Sequence, residues 1–415
     1  MKCYSKRNYA AAVGVFLLAS QLVQAQHTPA VTNYTGAPVN YIRTWDATAP
    51  ESDPNALMSR PLKDVKQATQ YFDGLGRPLQ TVIKQGSLAT GGTATDLVSP
   101  VEYDEFGREQ YKWMPYAEAT DNTGTFKISP FTPQLAFYND PNGVLKNQGE
   151  NLHYYYSQTV FEASPLNRVQ ESFAPGVSWA GTAAQTLESN RRSVKMKYWL
   201  NTTTDDVKMW NVTDVANSFG TYAVSTVDNG AGAGKYAAGE LYKNVSVDEH
   251  GKQVIEFKDK EGKVILKKVQ LTAANDDGTG KNYDGWLSIY YIYDDLGNLR
   301  CVIQPEAVKQ MATAVNWNIT PYLNEQCFRY EYDYRNRMVM KQVPGAAPVY
   351  MVYDQRDRLV MTQDGNMRNK GAWMVYFYDR LNRPVMSGVI ARSTAITHAE
   401  LLTAIKNTAT SLATG

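Results

Sequence analysis

A short pattern recurs along this chain: an aromatic residue, an Asp, two variable residues, a Gly or its substitute, then a basic residue. It reads Phe72-Asp73-Gly74-Leu75-Gly76-Arg77 and Tyr103-Asp104-Glu105-Phe106-Gly107-Arg108, and it returns through the second half. There it appears as Tyr293-Asp294 with Gly297-Asn298, Tyr332-Asp333 with Asn336-Arg337, Tyr353-Asp354 with Asp357-Arg358, and Tyr378-Asp379 with Asn382-Arg383. Weaker copies are Asp248 with Gly251-Lys252 and Asp259 with Gly262-Lys263. An Asp opening a turn accepts backbone hydrogen bonds from the residues that follow, and the Gly position must take positive φ to close a type I turn with a bulge. Where Gly is missing the chain offers Asn336, Asp357 and Asn382, the residue types that tolerate the left-handed region next best. Alternating stretches flank each turn, such as Ile289 to Tyr293 and Leu299 to Ile303, so each copy is the tip of a β-hairpin. Tyr before the turn and Arg after it are expected to stack across the base of their own hairpin. The Asp-to-Asp spacing is irregular, so this is no strict solenoid.

Composition agrees with strands. The 415 residues include 28 Tyr, 12 Phe and 8 Trp, types that favour half-buried pleated surfaces. Lys+Arg 42 against Asp+Glu 41 leaves a net charge of +1, with no basic surplus for phosphates, so no nucleic-acid partner is expected. At about 150 residues per domain the length suggests two or three units.

The first 25 residues read as a signal peptide. Lys2, Lys6 and Arg7 precede an apolar run from Tyr9 to Ala19, and Val23-Gln24-Ala25 supplies the small residues of a cleavage site before Gln26. The apolar run is well short of the roughly 20 residues that span a bilayer. Secretion or display at the cell surface follows. Cys3 leaves with the leader, and Cys301 and Cys327 are either bridged or two small buried hydrophobes.

With these hairpins in view, the chain resembles the N-terminal region of large secreted bacterial RHS/YD-repeat proteins, whose YD repeats the hexads match. Further stretches resemble the uncharacterised domain that precedes the repeats there: Asn40-Tyr41-Ile42-Arg43-Thr44-Trp45, Gln70 to Pro78, Val160-Phe161-Glu162 through Pro165-Leu166-Asn167-Arg168-Val169, Tyr236 to Tyr242, and Pro348 to Asp354. The resemblance covers nearly all of the mature chain. It implies a mainly β fold, an antiparallel hairpin sheet winding toward a β-shell, with a few short helices. It also implies further YD repeats and an RHS core downstream, and a variable, often toxic, C-terminal cargo.

The organisation reads as a signal peptide (1–25), an extended leader (26–60), an N-terminal RHS-associated β-domain (61–245) and a YD-repeat sheet (246–415). A helix is expected over 305–316, with Pro305 in its first turn, and another over 397–412, opened by the capping pair Thr397 and Glu400.

No catalytic, cofactor or metal site emerges. Asp228 to Lys235 has a phosphate loop's glycines but holds Asn229 and Tyr236 where that loop needs Gly and Ser or Thr. The four His form no zinc pair, and His153 sits among Tyr154-Tyr155-Tyr156. Asn139 to Gly143 and Asp276-Asp277-Gly278 lack the carboxylate spacing of an EF-hand. The residues singled out are therefore structural turns: Asp73, Gly76, Arg77, Asp104, Gly107, Arg108, Asp294, Gly297, Asp333, Asn336, Arg337, Asp354, Asp357, Arg358, Asp379, Asn382 and Arg383. Two functions fit, a non-enzymatic scaffold enclosing or presenting a cargo, and a surface module holding glycans or a protein partner on Tyr, Trp and Arg rows. A reading frame continuing into an RHS core favours the first, and a native stop at Gly415 the second.

Overall fold

The computed structural model describes residues 27–88, 92–143, 155–176, 191–214, 223–226, 234–272, 276, 278–391, 397–398 and 400–401. The expected signal peptide, His153, most of the Gly-rich stretch 228–235 and the body of the expected C-terminal helix lie outside them. The chain divides into two units, Met1–Lys195 and Met196–Gly415.

In the first unit, a five-stranded antiparallel sheet runs in the order Asn40–Ala47, Val65–Phe72, Pro78–Ser87, Thr95–Pro100, Tyr116–Ala117. Its first strand lies in the segment read as an extended leader and pairs along its whole length, from Asn40 opposite Phe72 to Ala47 opposite Val65. Period-two alternation turns Tyr71, Val82, Val98 and Tyr116 into one core, with Phe126, Phe137 and Tyr138 packed on it. A second antiparallel group joins Tyr111–Trp113, Tyr156–Phe161, Val169–Phe173 and residues 193–195. Trp113, Tyr156 and Phe131, the last from helix Phe131–Asn139, form its core. Among the described residues, charge is buried here only with partners. Lys127 lies between Asp96 at 2.7 Å and Asp121 at 2.6 Å, and Glu102 accepts from Trp113 Nε1 at 2.8 Å and from the Ala30 amide at 3.0 Å. His27 reaches the same carboxylate at 2.9 Å and stacks on Tyr111 with centroids 3.6 Å apart.

In the second unit, beside a separate antiparallel pair of Trp210–Thr213 and Ala223–Thr226, the strands from Tyr242 onward follow one another in sequence order, each antiparallel to the one before. They are Tyr242–Val247, Gln253–Lys258, Val264–Gln270, Trp286–Tyr293, Leu299–Ile303, Cys327–Tyr332, Met338–Gln342, Val349–Tyr353, Leu359–Gln363, Ala372–Tyr378 and Pro384–Ala391. Trp286–Tyr293 shows why. Its alternate residues Trp286, Ser288, Tyr290 and Ile292 are buried, and the intervening ones are not. The inserted helix spans Pro305–Thr313 and buries Ala307, Val308 and Met311 against Tyr290, Ile303 and their neighbours. Cys301 and Cys327 are unbridged and fully buried; register sets Cys301 opposite Arg329 and Cys327 opposite Ile303. Thr397 and Glu400 cap each other, and Leu401 packs on a second cluster of Val352, Val360, Met361, Trp373 and Val375. Among the described residues, the last strand, Pro384–Ala391, has a neighbour on one side only, and Val385, Met386, Val389 and Ile390 along it are exposed. The whole is mainly antiparallel β-structure with a few short helices.

Candidate functional site

The hairpin turns share one geometry. In the first, Asp73 Oδ1 accepts from the Leu75 amide at 2.9 Å and the Arg77 amide at 2.8 Å, while Oδ2 accepts from Arg77 Nε at 2.8 Å. The Gly76 amide donates back to the Asp73 carbonyl at 3.0 Å, and Gly76 takes φ +79°. Asp104 repeats these bonds with Phe106 and Arg108, Asp333 with Arg335 and Arg337, Asp354 with Arg356 and Arg358, and Asp379 with Leu381 and Arg383. The left-handed position is Gly107 (φ +75°), Gly297 (+80°), Asn336 (+57°), Asp357 (+61°) and Asn382 (+62°) in turn. Amide donors favour the charged carboxylate. The Arg77 amide holds the Asp73 carboxyl below its usual range, and the Arg383 amide does so for Asp379. At Asp104 and Asp333 burial pushes the other way and is outweighed by the bonds from Arg108 and Arg337.

The turn at Asp294 departs from this set. Its basic position is Asn298, whose amide and side chain still bond Asp294, and the guanidinium comes from Arg300, 3.3 Å from Asp294 Oδ2 and 2.6 Å from Asp214. A further turn closes on Glu162 in place of Asp. Its carboxylate accepts from Ser164 Oγ at 2.7 Å and Arg168 Nε at 2.9 Å, with Asn167 at φ +50°, and the bond from Arg168 leads in lowering its pKa to about 2. The Asn-Arg pair after Phe161-Glu162 was its signal, masked by two extra residues.

The stacking expected between the residue before each turn and the basic residue after it instead joins successive hairpins, while Arg108 also lies 4.9 Å from the centroid of Phe106 in its own turn. Arg77 lies over Tyr103 (4.7 Å to the centroid), Arg108 over Phe161 (4.8 Å), Arg337 over Tyr353 (4.9 Å) and Arg358 over Tyr378 (5.1 Å). The cause is geometric. Nε is fixed by the hairpin's own Asp, so the free edge of the planar fork faces outward to the neighbour. That edge also bonds the neighbour's left-handed residue: Arg108 Nη1 to Asn167 Oδ1 at 2.8 Å, Arg337 Nη1 to Asp357 Oδ1 at 2.7 Å and Arg358 Nη1 to Asn382 Oδ1 at 3.2 Å. Asn298 makes the same link to Asn336 at 3.2 Å. Asn336, Asp357 and Asn382 thus close their own turn and receive the turn before it. In the last turn Arg383 bonds Asp379 alone among the described residues, and its side chain is 71% exposed.

Other groups with chemical potential are engaged structurally. Asp140 closes a local turn through the Asn142 amide at 2.8 Å. Lys268, which burial and then Lys243 push down to about 8, donates to the carbonyls of Gly280 and Asn282. No group of three or more potential metal ligands occurs among the described residues.

Fold and turns together define a mainly antiparallel β-protein built of serially linked hairpins. Residues 43–193 match the family described as a domain of unknown function, DUF6443. No curated protein matches the chain. Solved structures similar to it include TcdB2-TccC3-TEV, at 14% identity and TM-score 0.47, covering 92% of this chain and 15% of that one. The Photorhabdus luminescens Tc holotoxin pore matches at 14% identity and TM-score 0.46, over 86% of this chain and 14% of that one. TcdB2-TccC3-Cdc42 matches at 13% and 0.46, over 80% and 13%. The chain spans only that small share of their length.

Proposed function

We propose that this chain is a non-enzymatic structural scaffold, the opening part of an RHS/YD-repeat β-shell in a larger secreted protein that encloses or presents a C-terminal cargo. In this reading residues 1–25 are removed on export, and the partners are further YD repeats and an RHS core of the same polypeptide. One observation carries it: the Arg108, Arg337 and Arg358 side chains each serve two hairpins at once, their own Asp and the ring and left-handed residue of the next. Such links extend a sheet by addition of like units, and they leave a receptive end at Arg383 and the edge strand Pro384–Ala391.

The test extends the chain. Adding the next repeats encoded downstream is expected to raise solubility and melting temperature, with no hydrolysis of ester, peptide or glycoside substrates by either form. A monodisperse monomer of residues 26–415 that gains nothing from extension would overturn the reading.

A further inference from the structure

The cation joining successive hairpins is a guanidinium at Arg77, Arg108, Arg337 and Arg358, but between the turns at Asp259 and Asp294 it is the ammonium of Lys263. Lys263 sits 5.7 Å from the centroid of Tyr293 and pairs with Glu261. It therefore does not close on its own Asp as Arg77 does. Asp259 Oδ1 accepts the amides of Glu261 and Lys263, each at 2.9 Å, and Oδ2 has no hydrogen bond among the described residues.

A cavity of about 430 Å³ opens at this place. That is within the range of roughly 300–1,000 Å³ typical of small-ligand sites. Trp210, Tyr236 and Tyr293 give it aromatic walls, and Glu240, Asp259 and Asp295 bring carboxylates to it. Glu261 and Asp294, also at the cavity, are paired with Lys263 and Arg300. Asp295 is exposed and makes no bond or ion pair among the described residues. Against these carboxylates the one further lining cation is the exposed Lys260. The Trp210 Nε1 atom is buried and has no acceptor among the described residues.

Ring faces and carboxylates both attract cations. The planar, weakly hydrated guanidinium suits a slot that offers both, because it stacks on a ring while donating in its plane. We propose that this cavity is a binding site for a guanidinium group, carried by the Arg side chain of a partner peptide or by a small guanidino compound. The ligand bonds Asp259 Oδ2, the acceptor that the turn's own Arg fills at Asp73, and Asp295, beside the aromatic wall.

Isothermal titration calorimetry of the chain tests this with three probes: acetyl-Gly-Arg-Gly-amide, the same peptide with citrulline for Arg, and agmatine. The Arg peptide is expected to bind with a Kd on the order of 1 mM or tighter and the neutral citrulline peptide at least about tenfold more weakly. Agmatine binding as well as the peptide assigns the site to small guanidino compounds; a preference for the peptide assigns it to a protein partner. Asp295→Asn is expected to weaken binding about tenfold. Lys263→Arg supplies the missing guanidinium from within and is expected to abolish binding while the melting temperature holds or rises. Equal binding of the citrulline peptide, unchanged binding by folded Lys263→Arg, or binding of neutral maltohexaose in place of both cationic probes would overturn the proposal.

Discussion

Arg337 bonds Asp333 Oδ2 at 2.8 Å in its own turn and lies 4.9 Å from the ring centroid of Tyr353 in the next, so one side chain fastens two hairpins. The value of such a residue depends on its surroundings. Arg358 and Asp354 are each 6% exposed in their side chains, whereas Arg383, bonded in the same way to Asp379, is 71% exposed. Arg358→Ala strands a buried carboxylate and is expected to cost about 3 kcal/mol or more. Arg383→Ala is expected to leave the melting temperature unchanged, because solvent screens that pair. Equal melting shifts for the two variants would refute the distinction.

The turn positions make a second comparison. Gly297 has φ +80°, and a Cβ there also meets Lys263 Nζ at 2.5 Å. Gly297→Val is expected to destabilise by roughly 1–3 kcal/mol, since a β-branched residue is strained at positive φ. Asn382, at φ +62°, already occupies the left-handed region, so Asn382→Gly keeps the turn and loses only the 3.2 Å bond from Arg358 Nη1, an expected cost of about 1 kcal/mol or less. Thermal melts that rank the pair in the opposite order would contradict the shared turn geometry.

The segment around His398 should respond to acid. Burial pushes His398 below its ordinary value of 6.5, its Nε2 bonds the Met351 carbonyl at 2.8 Å, and Tyr350 and Trp373 flank the ring. The charged groups near it are Arg368, over Tyr350, and Glu400, which the Thr397 amide and then its hydroxyl hold below the usual carboxylate range. Because the folded pKa is depressed, the undocked state takes up the proton first. Docking is therefore complete above about pH 6.5 and weakens as pH falls from there toward the folded value. Amide protection factors in Val349–Tyr353, that is exchange rates corrected for the intrinsic rate at each pH, are expected to fall between about pH 7.5 and 5, and His398→Phe should remove the change. Identical protection factors at both pH values would sink this.

Export gives a simple readout. Expressed with its leader in a bacterial host, the protein should be recovered with Gln26 as its first residue by intact mass. Exported material still carrying Met1 would exclude a cleaved signal.

Strands and turn tips were legible because their determinants are local: alternation along Trp286–Tyr293, an Asp accepting from amides two and four residues on, and Asn or Asp where Gly is missing at positive φ. The ring that each Arg meets was not. Tyr353 and Phe161 lie in later hairpins than Arg337 and Arg108, so the contact depends on strand pairing rather than spacing. The buried lysines were equally hidden. Lys127 and Lys268 look like ordinary solvated charges until Asp96, Asp121 and the carbonyls of Gly280 and Asn282 close around them. The cavity beside Lys263 is legible only afterwards, as the place where the repeat's Arg has been replaced.

The most direct measurement is a double-mutant cycle on the link itself, with Arg337→Met, Tyr353→Leu and the double variant compared by denaturant unfolding. If hairpins are held in series by these side chains, the pair should show a coupling free energy of about 0.5–2 kcal/mol. Additivity within about 0.3 kcal/mol would mean that Arg337 gains nothing from the ring of the next hairpin, and would contradict a serial scaffold held by these stacked pairs.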